Sequence, residues 1–135
     1  MDKKISIILS TYNEASIIKT TIDKIFSTLD NVEIVLVDDN SVDGTLEILN
    51  SINNKNLKVY SRNSRGLASA FLLGMINTSG DYIGWTDSNM PQLTHHFKEM
   101  IKKLETYDIV LLSRYVDGGG DQRSSIRILS SKMIN

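Results

Sequence analysis

Short runs of consecutive apolar residues recur along the chain, and each is followed by a more polar stretch. A short, unbroken apolar run is typical of a strand that is buried on both faces of a parallel sheet. Five mainly apolar runs approach this pattern, with Ser6, Glu33 and Lys58 as single polar residues in three of them: Ile5–Leu9, Val32–Val37, Leu57–Tyr60, Tyr82–Trp85 and Ile109–Leu112. The pattern therefore predicts five strands.

The stretches between these runs carry apolar residues at helical spacing. They predict helices from about Ile17 to Leu29, around Leu46–Leu49, from Leu67 to Ile76 and from Leu93 to Leu104, with a further helical pattern over Ser124–Asn135. Ser41 or Asp43 is placed to cap the helix that begins near Thr45. Strands that alternate with helices favour right-handed βαβ units and a mainly parallel sheet.

Composition narrows the class of protein. The chain has 135 residues and a formal net charge of -1, so we expect a single domain over residues 1–135 and no nucleic-acid partner, which would require a strongly basic face. It has no cysteine, which excludes a disulfide framework and a thiolate metal site. No signal-peptide pattern or long apolar span is visible, and we expect a cytoplasmic location.

Polar side chains follow three of the predicted strands where each strand ends. Asp38 and Asp39 end the second run, Thr11 to Glu14 follow the first, and Asp87-Ser88-Asn89 follows the fourth. Adjacent acids are also common at helix entries, but two at one strand end exceed what a turn needs. Ligands of open α/β sheets bind at the carboxyl ends of strands, which makes this edge the expected binding site.

Four segments, STYNE, VDDNSVDGT, TDSN and SRYVDGGG, occur in this order along the chain. With them the chain resembles family 2 glycosyltransferases, most closely the polyprenyl-phosphate (dolichol-phosphate) mannosyltransferase branch. The resemblance implies an α/β GT-A (Rossmann-like) fold, a three-layer αβα sandwich with a mainly parallel central sheet. Members of the family usually continue further, so we expect the C-terminal part of the architecture to be missing.

The resemblance also implies a nucleotide-sugar site. Thr11, Tyr12 and Glu14 would surround the base and ribose, with Tyr12 packing on the base and Glu14 forming hydrogen bonds. Asp39 would accept a hydrogen bond from the base. Asp38 belongs to the same predicted set, with a purely structural role as its alternative.

A basic loop precedes the third predicted helix. Arg62, Arg65 and Gly66 could receive a pyrophosphate there, because positive charge and free backbone N–H groups attract anions. A solvated surface loop is the alternative. We select Arg65 as the phosphate ligand.

Asp87-Ser88-Asn89 stands where the family has its DxD metal signature. The resemblance implies that Asp87 and Asn89 hold Mg²⁺ or Mn²⁺, which prefer oxygen ligands. Asn89 replaces the usual second acid and removes one negative charge, so metal affinity should fall. His95 and His96 lie at the polar start of a predicted helix and are interpreted as surface residues.

The end of the chain carries the remaining predicted site residues. By resemblance, Arg114 in SRYVDGGG would contact phosphate oxygens, and Arg127 and Lys132 would neutralise donor and acceptor phosphates. Lys132 replaces an arginine, which keeps the charge but loses the two-point geometry. The predicted catalytic residues are therefore Asp87, Arg114 and Arg127.

The implied reaction transfers a sugar, with inversion, from a GDP- or UDP-linked donor. A polyprenyl phosphate or another glycan-pathway molecule is the expected acceptor. A lipid acceptor would bring the protein to the cytoplasmic face of a membrane. A homo-oligomer or a complex with a partner subunit is compatible with this function. The main alternative is a nucleotide-sugar-binding fragment or subunit without catalysis. A receiver domain would need acids where the first strand is followed by Ser10 to Asn13, and a dinucleotide-binding domain would need a G-x-G-x-x-G segment that the chain lacks.

Overall fold

The computed structural model describes residues 3–113 and 115–117, and the described part divides into two units at Lys102 and Lys103. The first unit contains the strands and nearly all helical residues. Its strands are β1 Ile5–Thr11, β2 Val32–Asp38, β3 Leu57–Ser61 and β4 Tyr82–Asp87. Its helices are α1 Ile18–Thr28, α2 Thr45–Ser51, α3 Leu67–Ile76, a 3-10 helix Pro91–His96, and α4 Phe97–Lys103, which ends one residue into the second unit.

The four strands form one sheet in the order β3-β2-β1-β4, and every pair is parallel. Ile8 of β1 lies opposite Val35 of β2 on one side and Trp85 of β4 on the other. Every residue of β2 is buried, as expected for an inner strand covered on both faces. The prediction of a mainly parallel sheet built from βαβ units is confirmed.

Helices cover both faces of this sheet. One face packs against α1, α2 and Phe97 in a single apolar cluster whose members include Ile7, Leu9, Ile22, Ile25, Ile34, Leu36 and Leu49. The other face carries α3, whose buried Ala70 and Gly74 lie toward β1, with Gly74 against Ile8. These layers form the predicted three-layer sandwich.

The starts of the helices follow from local chemistry. Asp43 Oδ1 accepts a hydrogen bond from the backbone N–H of Thr45 at 3.1 Å, but the N-cap residue of α2 is Gly44, so the prediction that Ser41 or Asp43 caps this helix is wrong. Gly44, with φ of 97°, stands between them in a conformation that favours glycine. The helix predicted from Leu93 is divided in two, because Pro91 opens a 3-10 helix that becomes α-helical only at Phe97.

One strand prediction is wrong. Residues Ile109–Leu112 form no strand, and Ile109 and Leu111 are exposed by 75% and 82%. An apolar run indicates a preference for burial, whereas a strand also needs a hydrogen-bonded neighbour, and none pairs with this run in the described residues. The helix predicted over Ser124–Asn135 lies outside them. Among the residues described, no helix is both long and apolar enough to cross a membrane.

A buried acid lies near the start of β2, at the amino ends of the strands. Glu33 is 3% exposed and forms ion pairs with Lys4 at 3.1 Å and Lys58 at 3.0 Å. It also accepts hydrogen bonds from the Ser6 hydroxyl at 2.7 Å and from Ser79. Burial raises the pKa of Glu33, but the hydrogen bonds from Ser6, Lys58, Ser79 and Lys4 outweigh it and hold the pKa far below its ordinary value. The cluster joins β1, β2, β3 and the turn before β4.

Candidate functional site

A cleft of about 210 Å³ opens at the carboxyl ends of β1, β2 and β4. The strand register explains why these ends meet, because Thr11 lies opposite Asp38 and Ser10 opposite Asp87. The residues that line the cleft are Ser10, Thr11, Tyr12, Glu14, Asp39, Leu67, Asp87, Ser88 and Asn89. Six of the sequence-predicted site residues are thus brought together, namely Thr11, Tyr12, Glu14, Asp39, Asp87 and Asn89.

The loop after β1 is tied to the loop after β2. The backbone N–H of Asn13 donates to Ser41 Oγ at 2.9 Å, and Asn13 Oδ1 accepts from the backbone N–H of Val42 at 2.9 Å. Asp43 Oδ2 accepts from Ala15 N at 3.0 Å. Hydrogen bonds from the Thr45 hydroxyl and then from Ala15 lower the pKa of Asp43. These bonds fix the backbone that presents Tyr12 and Glu14.

Asp38 lies under this loop and does not line the cleft. Its side chain is fully buried and accepts hydrogen bonds from the Ser41 hydroxyl at 2.5 Å and the Ser41 backbone N–H at 3.0 Å. The two bonds close the turn in which Asn40 has φ of 63°. Through these hydrogen bonds Asp38 stabilises the loop after β2, whose first residue is Asp39.

Asp39 reaches the cleft and is bound by Arg62. Arg62 Nε donates to Asp39 Oδ1 at 2.5 Å, and Arg62 Nη2 donates to Oδ2 at 3.1 Å. The backbone N–H of Gly66 donates to the same Oδ2 at 3.1 Å. Arg65 is the arginine predicted from the sequence to bind phosphate, whereas Arg62 is the arginine that contacts Asp39. The sequence shows only that Arg62 follows β3 and that Asp39 follows β2, which does not specify their pairing.

Arg65 lies on the ring of Tyr12 instead. Its guanidinium carbon is 3.8 Å from the ring centroid, and its Nη2 donates to the Tyr12 hydroxyl. A guanidinium over an aromatic face is a favourable cation–π arrangement. A base that packs on the same face of Tyr12 would therefore have to displace Arg65 or stack beside it.

Thr11 contributes a hydroxyl without a partner. Its side chain is buried, and Oγ1 makes no hydrogen bond within the part of the chain that the structure describes. A buried hydroxyl without a partner is costly, about 1–3 kcal/mol. Thr11 is also one of the residues that line the cleft.

Oxygen ligands for a cation lie at the end of β4. The carboxylate of Asp87 is exposed, and the structure gives it no hydrogen bond or ion pair within residues 3–113. Asn89 donates from Nδ2 to Glu14 Oε1 at 2.9 Å. The turn itself is held by the Thr21 hydroxyl, which donates to the buried Ser88 carbonyl oxygen at 2.6 Å.

This donor set suits a hard divalent cation. Asp87 and Asn89 offer a carboxylate and an amide oxygen, and Mg²⁺ typically takes one or two protein oxygens and completes its shell with phosphate oxygens and water. The described residues contain no group of three histidines, cysteines or acids that would form an all-protein metal cage. The residues therefore fit a metal that is shared with a diphosphate.

The remaining predicted residues fall elsewhere. Arg114, Arg127 and Lys132 lie outside the described residues. The rings of His95 and His96 have centroids 3.8 Å apart, and neither residue lines the cleft. His95 is exposed and His96 is half-buried, in agreement with their interpretation as surface residues.

The chain belongs to glycosyltransferase family 2, because residues 6–133 match the family described as Glycosyl transferase family 2. It is 34% identical over 125 residues to a dolichol-phosphate mannosyltransferase of Pyrococcus furiosus. That match covers 86% of this chain and 34% of the relative, so the chain spans about a third of the relative's length.

Solved structures agree with this assignment. A mannosyltransferase from Pyrobaculum calidifontis, in complex with GDP-Man and Mn²⁺, superimposes with a TM-score of 0.59 and 26% identity over 66% of this chain and 28% of that one. The glucosyl-3-phosphoglycerate synthase of Mycobacterium tuberculosis, in complex with Mn²⁺, UDP and glucosyl-3-phosphoglycerate, gives a TM-score of 0.62 and 26% identity over 77% and 40%. The fold is GT-A, as predicted.

Proposed function

We propose that this cleft binds a nucleotide diphosphate sugar and that the protein transfers the sugar, with inversion, to a polyprenyl phosphate or another glycan-pathway acceptor. The observation that carries the proposal is the convergence of Tyr12, Asp39 and Asp87 on one cleft. These residues come from three separate strand ends, and they supply an aromatic surface, a hydrogen-bond acceptor and a cation ligand. A nucleotide diphosphate needs all three.

The base and ribose are assigned to the β1 and β2 ends of the cleft. Asp39 accepts a hydrogen bond from the base, and its carboxylate is already oriented by Arg62. Tyr12 supplies a ring face and Thr11 the buried hydroxyl that needs a partner. The described relatives bind GDP-Man or UDP, and we propose a GDP- or UDP-linked donor for this chain.

The diphosphate is assigned to the β4 end. Asp87 and Asn89 would hold Mg²⁺ or Mn²⁺ there, and the cation would stabilise the negative charge that develops on the departing nucleotide diphosphate. Asp87 fits this role because its carboxylate has no competing partner within residues 3–113. Arg114, Arg127 and Lys132 are proposed, by resemblance, to neutralise the remaining phosphate charge.

The acceptor is proposed from chemistry and from the relative's name. The Pyrococcus relative is a dolichol-phosphate mannosyltransferase. A lipid phosphate is already ionised at neutral pH, so its oxygen can attack the anomeric carbon without a strong general base. One carbon–oxygen bond forms as the bond to the nucleotide diphosphate breaks on the opposite face, which inverts the configuration. A lipid acceptor would place the reaction at the cytoplasmic surface of a membrane.

A second candidate is donor binding without transfer, as in a subunit that needs a partner. Asn89 favours it, because a neutral amide in place of the second acid should weaken the metal on which leaving-group stabilisation depends. This candidate keeps the roles of Tyr12 and Asp39 and removes only the catalytic step.

Thermal unfolding tests the donor site directly. A ligand that binds only the folded chain raises its melting temperature by mass action. We expect a GDP- or UDP-sugar to raise the melting temperature, and to raise it further with Mn²⁺, whereas CDP-linked compounds serve as the comparison. No response to any nucleotide sugar would refute the proposed site. Sugar release or transfer on adding polyprenyl phosphate then separates the enzyme from the binding module.

A further inference from the structure

The β4 end of the cleft, where the cation is proposed to bind, contains an acid that does not belong to the Asp87-Ser88-Asn89 turn. Glu14, from the loop after β1, is assigned by the resemblance to hydrogen bonds with the base or ribose, but in this structure its carboxylate accepts a hydrogen bond from Asn89 Nδ2 at 2.9 Å. We infer that Glu14 replaces the second carboxylate that the turn lacks, by orienting the Asn89 amide and by restoring the missing negative charge. This inference rests on the proposed function, since it concerns the cation that the donor site would hold.

The first step concerns the direction of the Asn89 amide. An ionised carboxylate only accepts hydrogen bonds, so the group that Asn89 turns toward Glu14 must be its nitrogen. The amide oxygen then points away from Glu14. Within the described residues no donor contacts that oxygen, so Asn89 Oδ1 is available as a neutral metal ligand. Without Glu14, the amide could rotate and present its nitrogen, which cannot bind a cation.

The second step concerns how firmly Glu14 is held. Its backbone N–H donates to the Thr45 hydroxyl at 2.9 Å, and its carbonyl oxygen accepts from Ile17 N and Ile18 N at the start of α1. The residue is half-buried. Because the backbone is fixed on both sides, Glu14 presents its carboxylate from a rigid position, as an orienting residue requires.

The third step concerns charge. A DxD turn supplies two negative charges, whereas this turn supplies one, from Asp87. Adding the carboxylate of Glu14 brings the total at this end of the cleft back to two, since Glu14, Asp87 and Asn89 line the same cleft. Attraction between a carboxylate and a divalent cation in the same cleft changes affinity by on the order of tenfold.

Four forms of the full 135-residue chain test the inference: the native chain, Glu14→Gln, Asn89→Asp, and the double variant. Mn²⁺ affinity is measured by electron paramagnetic resonance of the free ion, with the metal alone. We expect Glu14→Gln to weaken Mn²⁺ binding by about tenfold in the native background. In the Asn89→Asp background the same change should cost less than about threefold, because the introduced carboxylate supplies both ligand and charge.

Asn89→Asp should therefore rescue the Glu14→Gln variant, a result that loss of structure alone would not give. Glu47→Gln is the matched control, because Glu47 is an exposed acid in the first turn of α2 and does not line the cleft. It should leave Mn²⁺ affinity unchanged. Melting temperatures of all variants without ligand establish that each is folded.

The outcomes separate this inference from the proposed function. Equal losses in the two backgrounds, or no loss in either, would overturn the role of Glu14. If the Mn²⁺ affinities overturn the role of Glu14 while UDP- or GDP-sugar still raises the melting temperature of the native chain in EDTA, the donor site stands and only the role of Glu14 falls. If no Mn²⁺ binds and no nucleotide sugar raises the melting temperature, both proposals fail together.

Discussion

Arg62 holds the carboxylate of Asp39 at two points, with Nε 2.5 Å from Oδ1 and Nη2 3.1 Å from Oδ2. Both side chains are largely withdrawn from water, at 13% and 11% exposed. Arg62 also donates to the Ser69 hydroxyl and to the Gly66 carbonyl oxygen. Arg62 therefore orients Asp39, which is proposed to accept a hydrogen bond from the base, and it also stabilises the loop that leads into α3.

Replacing Arg62 with methionine should destabilise the fold by about 2 kcal/mol, the usual cost of losing hydrogen bonds to a charged group. Arg62→Lys should cost less, because it keeps the charge but not the two-point geometry. Urea unfolding measures both. Lys98→Met, which removes an exposed cation on α4, is the control and should change stability by no more than about 0.5 kcal/mol. Equal stability of Arg62→Met and the native chain would show that the pair contributes nothing.

Tyr12 should matter for nucleotide binding through its ring rather than its hydroxyl. Tyr12→Ala removes the surface for a base and should weaken UDP or GDP binding by about fivefold, or about 1 kcal/mol. Tyr12→Phe loses only the hydrogen bond from Arg65 and should bind nearly as well as the native chain. Isothermal titration with UDP and GDP distinguishes them. Equal losses in both variants would instead assign the effect to the hydroxyl.

Asp87 should couple nucleotide binding to metal. In Asp87→Asn, UDP- or GDP-sugar should still raise the melting temperature, but adding Mn²⁺ should give no further increase, because the charged ligand is gone. Asp30→Asn is a matched control, since Asp30 is an exposed acid before β2, away from the cleft. A Mn²⁺ response that survives in Asp87→Asn would remove Asp87 from its proposed role.

The helices and strands of this fold could be predicted because the local pattern of apolar residues reflects which positions are buried. Apart from Glu33, the run Val32–Val37 is apolar because β2 is buried on both faces, and α3 begins and ends at the predicted residues, Leu67 and Ile76. The strand ends then fixed where Asp39 and Asp87 would lie. Such features depend on neighbours in sequence and on the parallel order of the strands.

The pairings within the site could not be predicted in the same way. The hydrogen bond from Asn89 to Glu14 joins residues 75 positions apart, and the Arg62–Asp39 pair joins residues 23 apart. Such contacts depend on side-chain direction, which periodicity does not encode. The failed strand at Ile109–Leu112 has the same origin, because an apolar run does not specify a hydrogen-bonded partner.

Gly74 is predicted to be required for the packing of α3 on the sheet. A Cβ at this position would overlap the side chain of Ile8, so the helix lies closer to β1 than any other residue would allow. Gly74→Ala gains about 1 kcal/mol of helix propensity. Overpacking of the core should outweigh that gain and destabilise the chain by a net 1–2 kcal/mol, as estimated roughly from core substitutions. Urea unfolding of Gly74→Ala in the native chain and in the Ile8→Ala background checks the cause, since Ile8→Ala removes the Cγ2 that the new Cβ would meet and the Gly74 change should cost less there.

Glu33 should make the stability of the fold depend on pH. Its pKa in the folded chain lies far below its ordinary value of 4.5, because hydrogen bonds from Ser6, Lys58, Ser79 and Lys4 outweigh the opposing effect of burial. An acid whose pKa is lower in the folded chain than in the unfolded chain stabilises the fold. This stabilisation is complete at pH values above the pKa of the unfolded chain. The contribution is then lost as the pH falls below about 4.5 toward the folded-state pKa.

Glu33→Gln should therefore destabilise the chain by about 2 kcal/mol at pH 7, because two ion pairs are lost while most of the space is still filled. The difference between variant and native chain should shrink steadily as the pH is lowered below about 4.5, where the native acid begins to lose its advantage. Urea unfolding over a series of pH values measures this. Asp23→Asn, which breaks only the exposed pair with Lys19, should give a small difference at every pH. A Glu33→Gln difference that stays constant with pH would show that the side chain acts through packing rather than charge.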